Sequence, residues 1–425
     1  MSTSEILLVP RPFAVYSGRL LLLPLLPKRR PLRPLPSEIW SHVFEFILGV
    51  DTAARNGLLT VCKSFTDIVL PVFYSRVRIR TLSSLEKFVR HLRSSDEKWD
   101  SIRRIPYSTP GRWVQTLDVS GIPFTSQPEA FLLDSLLTQL FPLVPFLTGL
   151  SLNPSFVLSR RALASLTDRE QNGYLRVLEG VGYVPATGAA VEDDFLVNLL
   201  RSCVNLETLE VIGPGLDPSE FEFSLEGSET MPQSQTFRPL SLPHLRNMTL
   251  LSMHSSPLML ALLYSTLPSL RKLVVTPFDD IPAPASLVSE FVNIHGHNLR
   301  SLLLFTPKTW PTRLHPSPQI ILHACPNLRH LSLENPLPRL QLDAVHPLQI
   351  LSIPRPTPEF WTVLEGLLPR LPALKVVRAR DVRWLRKGMT LHAQGAGVQG
   401  ELREWRRRLL RRGIRVMDAD WRESE

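Results

Sequence analysis

The chain has 425 residues, of which 44% are hydrophobic and 20% charged. It can bury a large core, and global disorder is excluded. Its 48 basic and 39 acidic residues give a net charge of +9, and the excess gathers between Arg370 and Glu425, with 15 basic against 7 acidic side chains. Cys62, Cys203 and Cys325 are odd in number and form no CxxC pair, so neither a disulfide framework nor a zinc module is indicated and a reducing compartment fits.

Residues 1–33 read as a disordered leader rich in Pro and Arg. Its longest apolar run, Leu20 to Leu26, is interrupted by Pro24 and is too short to span a bilayer, so no membrane association is expected. Lys28-Arg29-Arg30 leaves a nuclear or mitochondrial address open. Residues 34–80 read as a helical module. Its first helix opens at Leu35-Pro36, with Pro at a helix start, where its missing N–H costs nothing. On a helical wheel Ile39, Val43, Phe46 and Ile47 form one apolar stripe, and Trp40, Phe44 and Leu48 a second beside it. Together they cover roughly 200°, twice the stripe of about 100° that one core uses. A module this small cannot internalise that surface, so either a partner covers it or the second stripe packs on the rest of the chain. A second helical segment contains Leu58, Val61, Cys62 and Phe65. Residues 81–110 read as a connector.

From residue 111 to the end one pattern recurs: a leading Leu, two variable residues, an apolar one, a variable one and a second apolar one. Its clear copies begin at Leu206, Leu270, Leu299, Leu328 and Leu348, and weaker ones at Val114, Leu147, Leu175, Leu245, Leu374 and Ile414. Alternation after each leading residue gives a short strand with one buried face. One such unit cannot bury its face alone, so the units must stack, as leucine-rich repeats do. The fold class expected is therefore α/β: a three-helix N-terminal module followed by a leucine-rich-repeat solenoid with short parallel strands. Cys203 and Cys325 each lie three residues before a leading Leu, which reads as buried helix ends rather than reactive thiols. The stretch 213–242 is a long insertion, rich in Gly, Pro, Ser and acids, that is functional or disordered. The end of the chain reads as a basic cap.

The position after the leading Leu is Arg246, Arg271, Arg300 and Arg329 in four consecutive repeats, and recurs as Arg176, Lys375 and Arg415. Strands stack about 4.8 Å apart, so this column predicts a basic ladder. It either covers neighbouring leucines with its stems or binds carboxylate or phosphate. Beside it, the strand positions facing away from the core are Asn247, Thr249, Lys272, Val274, Ser301, Leu303, His330, Ser332, Ile350 and Ser352. Arg246, Arg271, Lys272, Arg300, Ser301, Arg329 and His330 are the candidate substrate contacts.

Gly395-Ala396-Gly397-Val398-Gln399-Gly400 is a literal GxGxxG, but the helix after it begins with Glu401 and carries an Arg run, with little small apolar surface to pack on a sheet. A loop before a terminal cap is the reading preferred. HExxH, GxxxxGK[ST] and GxSxG patterns do not occur, so no enzyme, cofactor or metal site is expected.

Leu35-Pro36-Ser37-Glu38-Ile39 followed by Val61-Cys62-Lys63-Ser64-Phe65 resembles an F-box, with Phe65 where that family usually has Trp. The resemblance covers about residues 34–76. An F-box followed by degenerate leucine-rich repeats is similar to the fungal F-box proteins. The resemblance implies a substrate-recognition subunit of an SCF-type cullin–RING ubiquitin ligase, working in the cytoplasm or nucleus without catalysis. It also implies a Skp-type adaptor docked on Leu35, Pro36, Ile39, Trp40, Val43, Phe44, Leu58, Val61, Cys62 and Phe65, and a protein substrate held by the repeats, with nucleic acid not expected. The alternative is a leucine-rich-repeat scaffold with no ubiquitin role.

Overall fold

The computed structural model describes residues 35–50, 58–97, 109–169, 172–184, 191–213, 238–253, 256–277, 286–308, 313–384 and 397–423. The chain divides into two compact units, Met1–Phe73 and Tyr74–Glu425. The expected leader and the bulk of the 213–242 insertion lie outside the described residues.

The first unit holds α1 (Ser37–Val50) and all but the last two residues of α2 (Lys63–Ser75), joined by a stretch that ends in a helical turn at Leu58 and Leu59. The Pro36 carbonyl accepts from Ile39 N and Trp40 N and so starts α1. Thr66 Oγ1 donates to the Leu59 carbonyl at 2.9 Å and ties α2 to the turn before it. The core is Phe44 and Val69, with Trp40, Ile47, Leu58, Leu59, Phe65, Ile68, Val72 and Phe73 packed around them. The third helix of the expected module is not among the described elements, and residues 51–57 lie outside the described residues.

The second unit is a twelve-stranded, all-parallel sheet in which the strands follow sequence order. These are β1 (Arg76–Arg78), β2 (Thr116–Asp118), β3 (Gly149–Ser151), β4 (Val177–Gly182), β5 (Thr208–Ile212), β6 (Asn247–Leu251), β7 (Lys272–Val275), β8 (Ser301–Leu304), β9 (His330–Ser332), β10 (Ile350–Ile353), β11 (Val376–Ala379) and β12 (Arg415–Met417). Helices return the chain on the other side: α3 (Leu82–Glu97), α4 (Pro110–Trp113), α5 (Gln127–Leu140), α6 (Arg160–Thr167), α7 (Phe195–Ser202), α8 (Pro257–Leu263), α9 (Val288–His295), α10 (Ile321–Ala324), α11 (Pro358–Leu367) and α12 (Gly397–Leu410). The return from β9 to β10, the shortest repeat, has no helix. This is a leucine-rich-repeat type of solenoid.

Its core is a set of columns. Leu209, Met248, Leu273, Leu302, Leu331, Leu351, Val377 and Val416 are register partners from strand to strand, and all are buried. Every leading residue that the pattern identifies, from Val114 to Ile414, is buried too. Each buried Leu contributes about 1.5–3 kcal/mol, and each is covered by the repeats on either side.

The helix ends follow from local chemistry. Asp194 caps α7: its Oδ1 accepts from Leu196 N and Val197 N, and its Oδ2 from the Tyr183 hydroxyl at 2.6 Å. Cys203 and Cys325 are the C-cap residues of α7 and α10 and are fully buried. Gly296 shows how closely the returns pack, since a Cβ there would meet the Ala324 carbonyl oxygen at 2.3 Å.

Three expectations change. The array begins at β1, not at residue 111, because β1 pairs with β2 and Leu85, Val89 and Leu92 of α3 join the array core. The expected connector over 81–110 therefore contributes a repeat helix. In β1 Val77 and Ile79 hold the two apolar places, but the leading place is held by Tyr74, so only the leading Leu of the pattern is missing. At the other end Arg415 pairs with Val376, one place beyond the ladder position. Gly413, with φ of 72°, turns α12 directly into the strand and shortens the link by a residue.

Candidate interaction surfaces

The structure separates the two apolar stripes of α1. Trp40 and Phe44 turn inward, and Ile47, expected in the stripe of Ile39, Val43 and Phe46, packs on the same core instead. Trp40 stacks on Phe44, and Phe65 meets Trp40 at a tilt and Phe44 edge-on, with ring centroids 4.8 to 5.6 Å apart. Phe44 is 1% exposed, so it supports the module from within rather than meeting a partner. Trp40, Leu58 and Phe65 are half-buried beside it. The other stripe stays outside: Leu35, Ile39, Val43 and Phe46 are 51, 47, 38 and 75% exposed, and Val61 is 61% exposed. Pro36 and Cys62 are also exposed. The wheel alone left open which stripe is core; Val69 and Phe65 of α2 decide it.

In the array the basic column exists as a register position. Arg271 N and Lys272 N both donate to the Arg246 carbonyl, Arg300 N and Ser301 N to that of Arg271, and Arg329 N and His330 N to that of Arg300, at 2.8–3.0 Å. One backbone ladder therefore holds the four arginines on successive strands. All four side chains are exposed, and among the described residues no carboxylate pairs with them. Glu207, one place earlier on the ladder, lies 3.7 Å from Arg176, and Gln349 follows Arg329 through Gln349 N and the Arg329 carbonyl. The cationic row thus has four rungs.

Beside it lies a groove of about 430 Å³ lined by Pro268, Leu270, Arg271, His297, Asn298, Arg300, Asn327, Arg329 and Pro347. Asn327 Nδ2 donates to the His297 carbonyl at 2.8 Å, as Asn205 Nδ2 does to that of Gly173 at 2.6 Å. The sequence signal for this is an Asn directly before three leading leucines, at Asn205, Asn298 and Asn327.

The open face of the sheet carries the remaining candidates. Lys272 is exposed and Ser301 half-buried. His330 is half-buried, with Nε2 3.0 Å from Ser352 Oγ. Burial, then Arg378, Lys272 and Arg380, push its pKa down to about 4, so it is neutral at pH 7 and no part of the cationic row. Ser332 and Ser352, expected to face solvent, are buried. The reason lies in the C-terminal segment. Arg378 donates from Nε to the Asp418 carbonyl and through a second nitrogen to that of Ala419, and its guanidinium lies 4.3 Å over the Trp421 ring. That ring meets His330 edge-on at 6.4 Å. Buried Asp418 accepts from Trp384 N, Asp420 N and Arg422 N and fixes the turn. Arg380 meanwhile spans three strand ends, donating to the Leu333 and Leu304 carbonyls and pairing with Glu334 at 2.8 Å. The strap 418–423 and these arginines occupy the open face over β9–β11, so the face free for a partner lies on earlier strands.

Little else offers chemistry. Burial pushes the Cys325 thiol up to about 12 and raises that of Cys203. α12, which follows the glycine motif, buries Leu402, Trp405 and Leu409 in the array. Trp405 packs against Trp361 and Phe360. Among the described residues no group of His, Cys, Asp and Glu could hold a metal ion, and no helix is long and apolar enough to cross a membrane.

No family model matches the chain, and no curated protein matches it. Among solved structures it is similar to a chain in the crystal structure of the Rad7 and Elc1 complex in yeast, at 14% identity over 84% of this chain and 90% of that one, with a TM-score of 0.31.

Proposed function

We propose that this chain is a substrate receptor of an SCF-type cullin–RING ubiquitin ligase, in which the N-terminal module docks a Skp-type adaptor and the repeat array holds a protein substrate. The observation that carries the reading is the outer face of the module. Leu35, Ile39, Val43, Phe46 and Val61 remain exposed on a unit that has its own closed core in Phe44 and Val69. A helix that needs only one core shows one apolar stripe, and a second, exposed one marks an interaction site. The F-box-like order of Leu35-Pro36-Ser37-Glu38-Ile39 and Val61-Cys62-Lys63-Ser64-Phe65 supports an adaptor as the occupant. The docking residues on this reading are Leu35, Pro36, Ile39, Val43, Phe46, Val61 and Cys62, with Trp40, Leu58 and Phe65 holding them in place. Neither unit performs chemistry, and the complex works in the cytoplasm or nucleus.

Titration of a purified Skp-type adaptor into the full chain tests this. The parent is expected to bind, and the Ile39→Asp/Phe46→Asp variant to bind at least tenfold more weakly (about 1.4 kcal/mol) with unchanged thermal unfolding of the array. A parent that fails to bind, or a variant that binds as the parent does, contradicts the assignment.

A further inference from the structure

We infer that the four-rung arginine row and its groove are a docking edge for an acidic α-helix of a partner protein, laid across the strands with carboxylates one helical turn apart. The inference deepens the substrate-receptor reading and rests on it for the partner's role. Three observations carry it. Arg246, Arg271, Arg300 and Arg329 are exposed on consecutive strands, held in step by bifurcated bonds to the preceding carbonyls. Glu207, already beside Arg176, and neutral Gln349 bound the row, so its length is defined. The groove along Arg271, Arg300 and Arg329 has the exposed rings of Pro268 and Pro347 among its walls, which gives apolar contact beside the charges.

Spacing selects the ligand. Stacked strands repeat about every 4.8 Å. Side chains three and four apart on a helix are about 5–6 Å apart and stay on one face. Alternate side chains of an extended segment are about 6.6–6.8 Å apart, so they drift out of step with the rungs over four strands. Guanidinium forks take carboxylates bidentately, with bonds roughly twice as strong as neutral ones. The amides of Asn298 and Asn327 are turned to backbone, towards the Leu267 and His297 carbonyls. That leaves the arginines as the specificity element.

Fluorescence anisotropy on the full chain tests this with four labelled probes. The first is a helical peptide with Glu at i, i+4, i+7 and i+11, and the second a helical peptide of the same composition with those Glu distributed around the helix. The third is an extended, proline-interrupted acidic peptide, and the fourth a single-stranded oligonucleotide. The in-phase helix is expected to bind about tenfold or more tightly than each of the others, since only it sets a carboxylate against every rung. The Arg271→Glu/Arg300→Glu/Arg329→Glu variant should lose that preference, and Arg271→Gln/Arg300→Gln/Arg329→Gln should weaken binding part of the way. Equal binding of the two helices, tightest binding of the extended peptide or the oligonucleotide, or an unaffected Glu variant overturns the inference. The assay contains no adaptor, so its failure leaves module docking untouched, and failure of adaptor binding leaves this result standing.

Discussion

In the array, inward residues of each strand are closed by the strands on either side: Leu302 is sandwiched between its register partners Leu273 and Leu331, and all three are buried. In the N-terminal module two helices share a small core around Phe44 and Val69, and Phe46, two residues from Phe44, stays 75% exposed. A solenoid lengthens its core with each added repeat. A module of this size closes one core and leaves the rest of its apolar surface for something else. Exposed apolar side chains therefore mean different things in the two units. Val345, exposed on a return of the array, is ordinary surface. The outer stripe of α1 is contiguous.

The widest separation between the regions is expected in core truncations. Leu331→Ala should destabilise the array by about 2–5 kcal/mol, and Phe44→Ala the module by about 3–5 kcal/mol. Phe46→Ala should move neither by more than about 0.5 kcal/mol. Denaturant titrations that follow the module and the array separately check this; a Phe46 variant as destabilised as the Phe44 variant would place the outer stripe in a core. Trp40 and Phe44 are for that reason poor probes of docking, since their loss unfolds the surface they support.

Next in size is the cap at Asp194. Replacement by Ala removes a helix cap worth about 0.5–2 kcal/mol and leaves the buried Tyr183 hydroxyl without its acceptor, about 1–3 kcal/mol more. Chemical unfolding of Asp194→Ala should fall within the sum of the two, and a change near zero would contradict the buried bond.

The array should carry a histidine-dependent loss of stability in acid. His330 is held down to about 4 by burial and by Arg378, Lys272 and Arg380, and burial also lowers His295 and His346. Above the ordinary value of 6.5 both folded and unfolded chains leave these rings neutral. As pH falls below 6.5 the unfolded chain takes up protons that the folded one refuses, so stability drops towards pH 4. A series of melting curves between pH 7 and 4.5 should show this slope, and His330→Gln should make it shallower; an unchanged slope would remove His330 from its cause. Smallest is the strap: Trp421→Ala loses a cation–π contact of about 0.5–2 kcal/mol, which hydrogen exchange at residues 418–423 should report as faster without a change in the global midpoint.

How much of this was legible in the sequence follows the same division. Ten of the twelve strands, β2 to β11, begin two residues after the leading residue that the pattern identifies, because a repeat writes its packing into every copy. β1 was missed because Tyr74 replaces the leading Leu, and β12 was shifted by one because Gly413 shortens its approach. The arginine row was legible as a column. The strap was not, since it depends on where Arg378, Asp418 and Trp421 meet, and nothing in their spacing announces that. In the module, both stripes were visible and their roles were not, because the choice is made by Phe65 and Val69 of another helix.

The central claim is that the outer face of the module is an adaptor-docking surface distinct from both cores. Hydrogen exchange of the full chain with and without a saturating Skp-type adaptor tests it most directly. New protection is expected over residues 35–47 and 58–65, with the strands β2–β11 unchanged. Protection confined to the array, or none at all in the module, would contradict it.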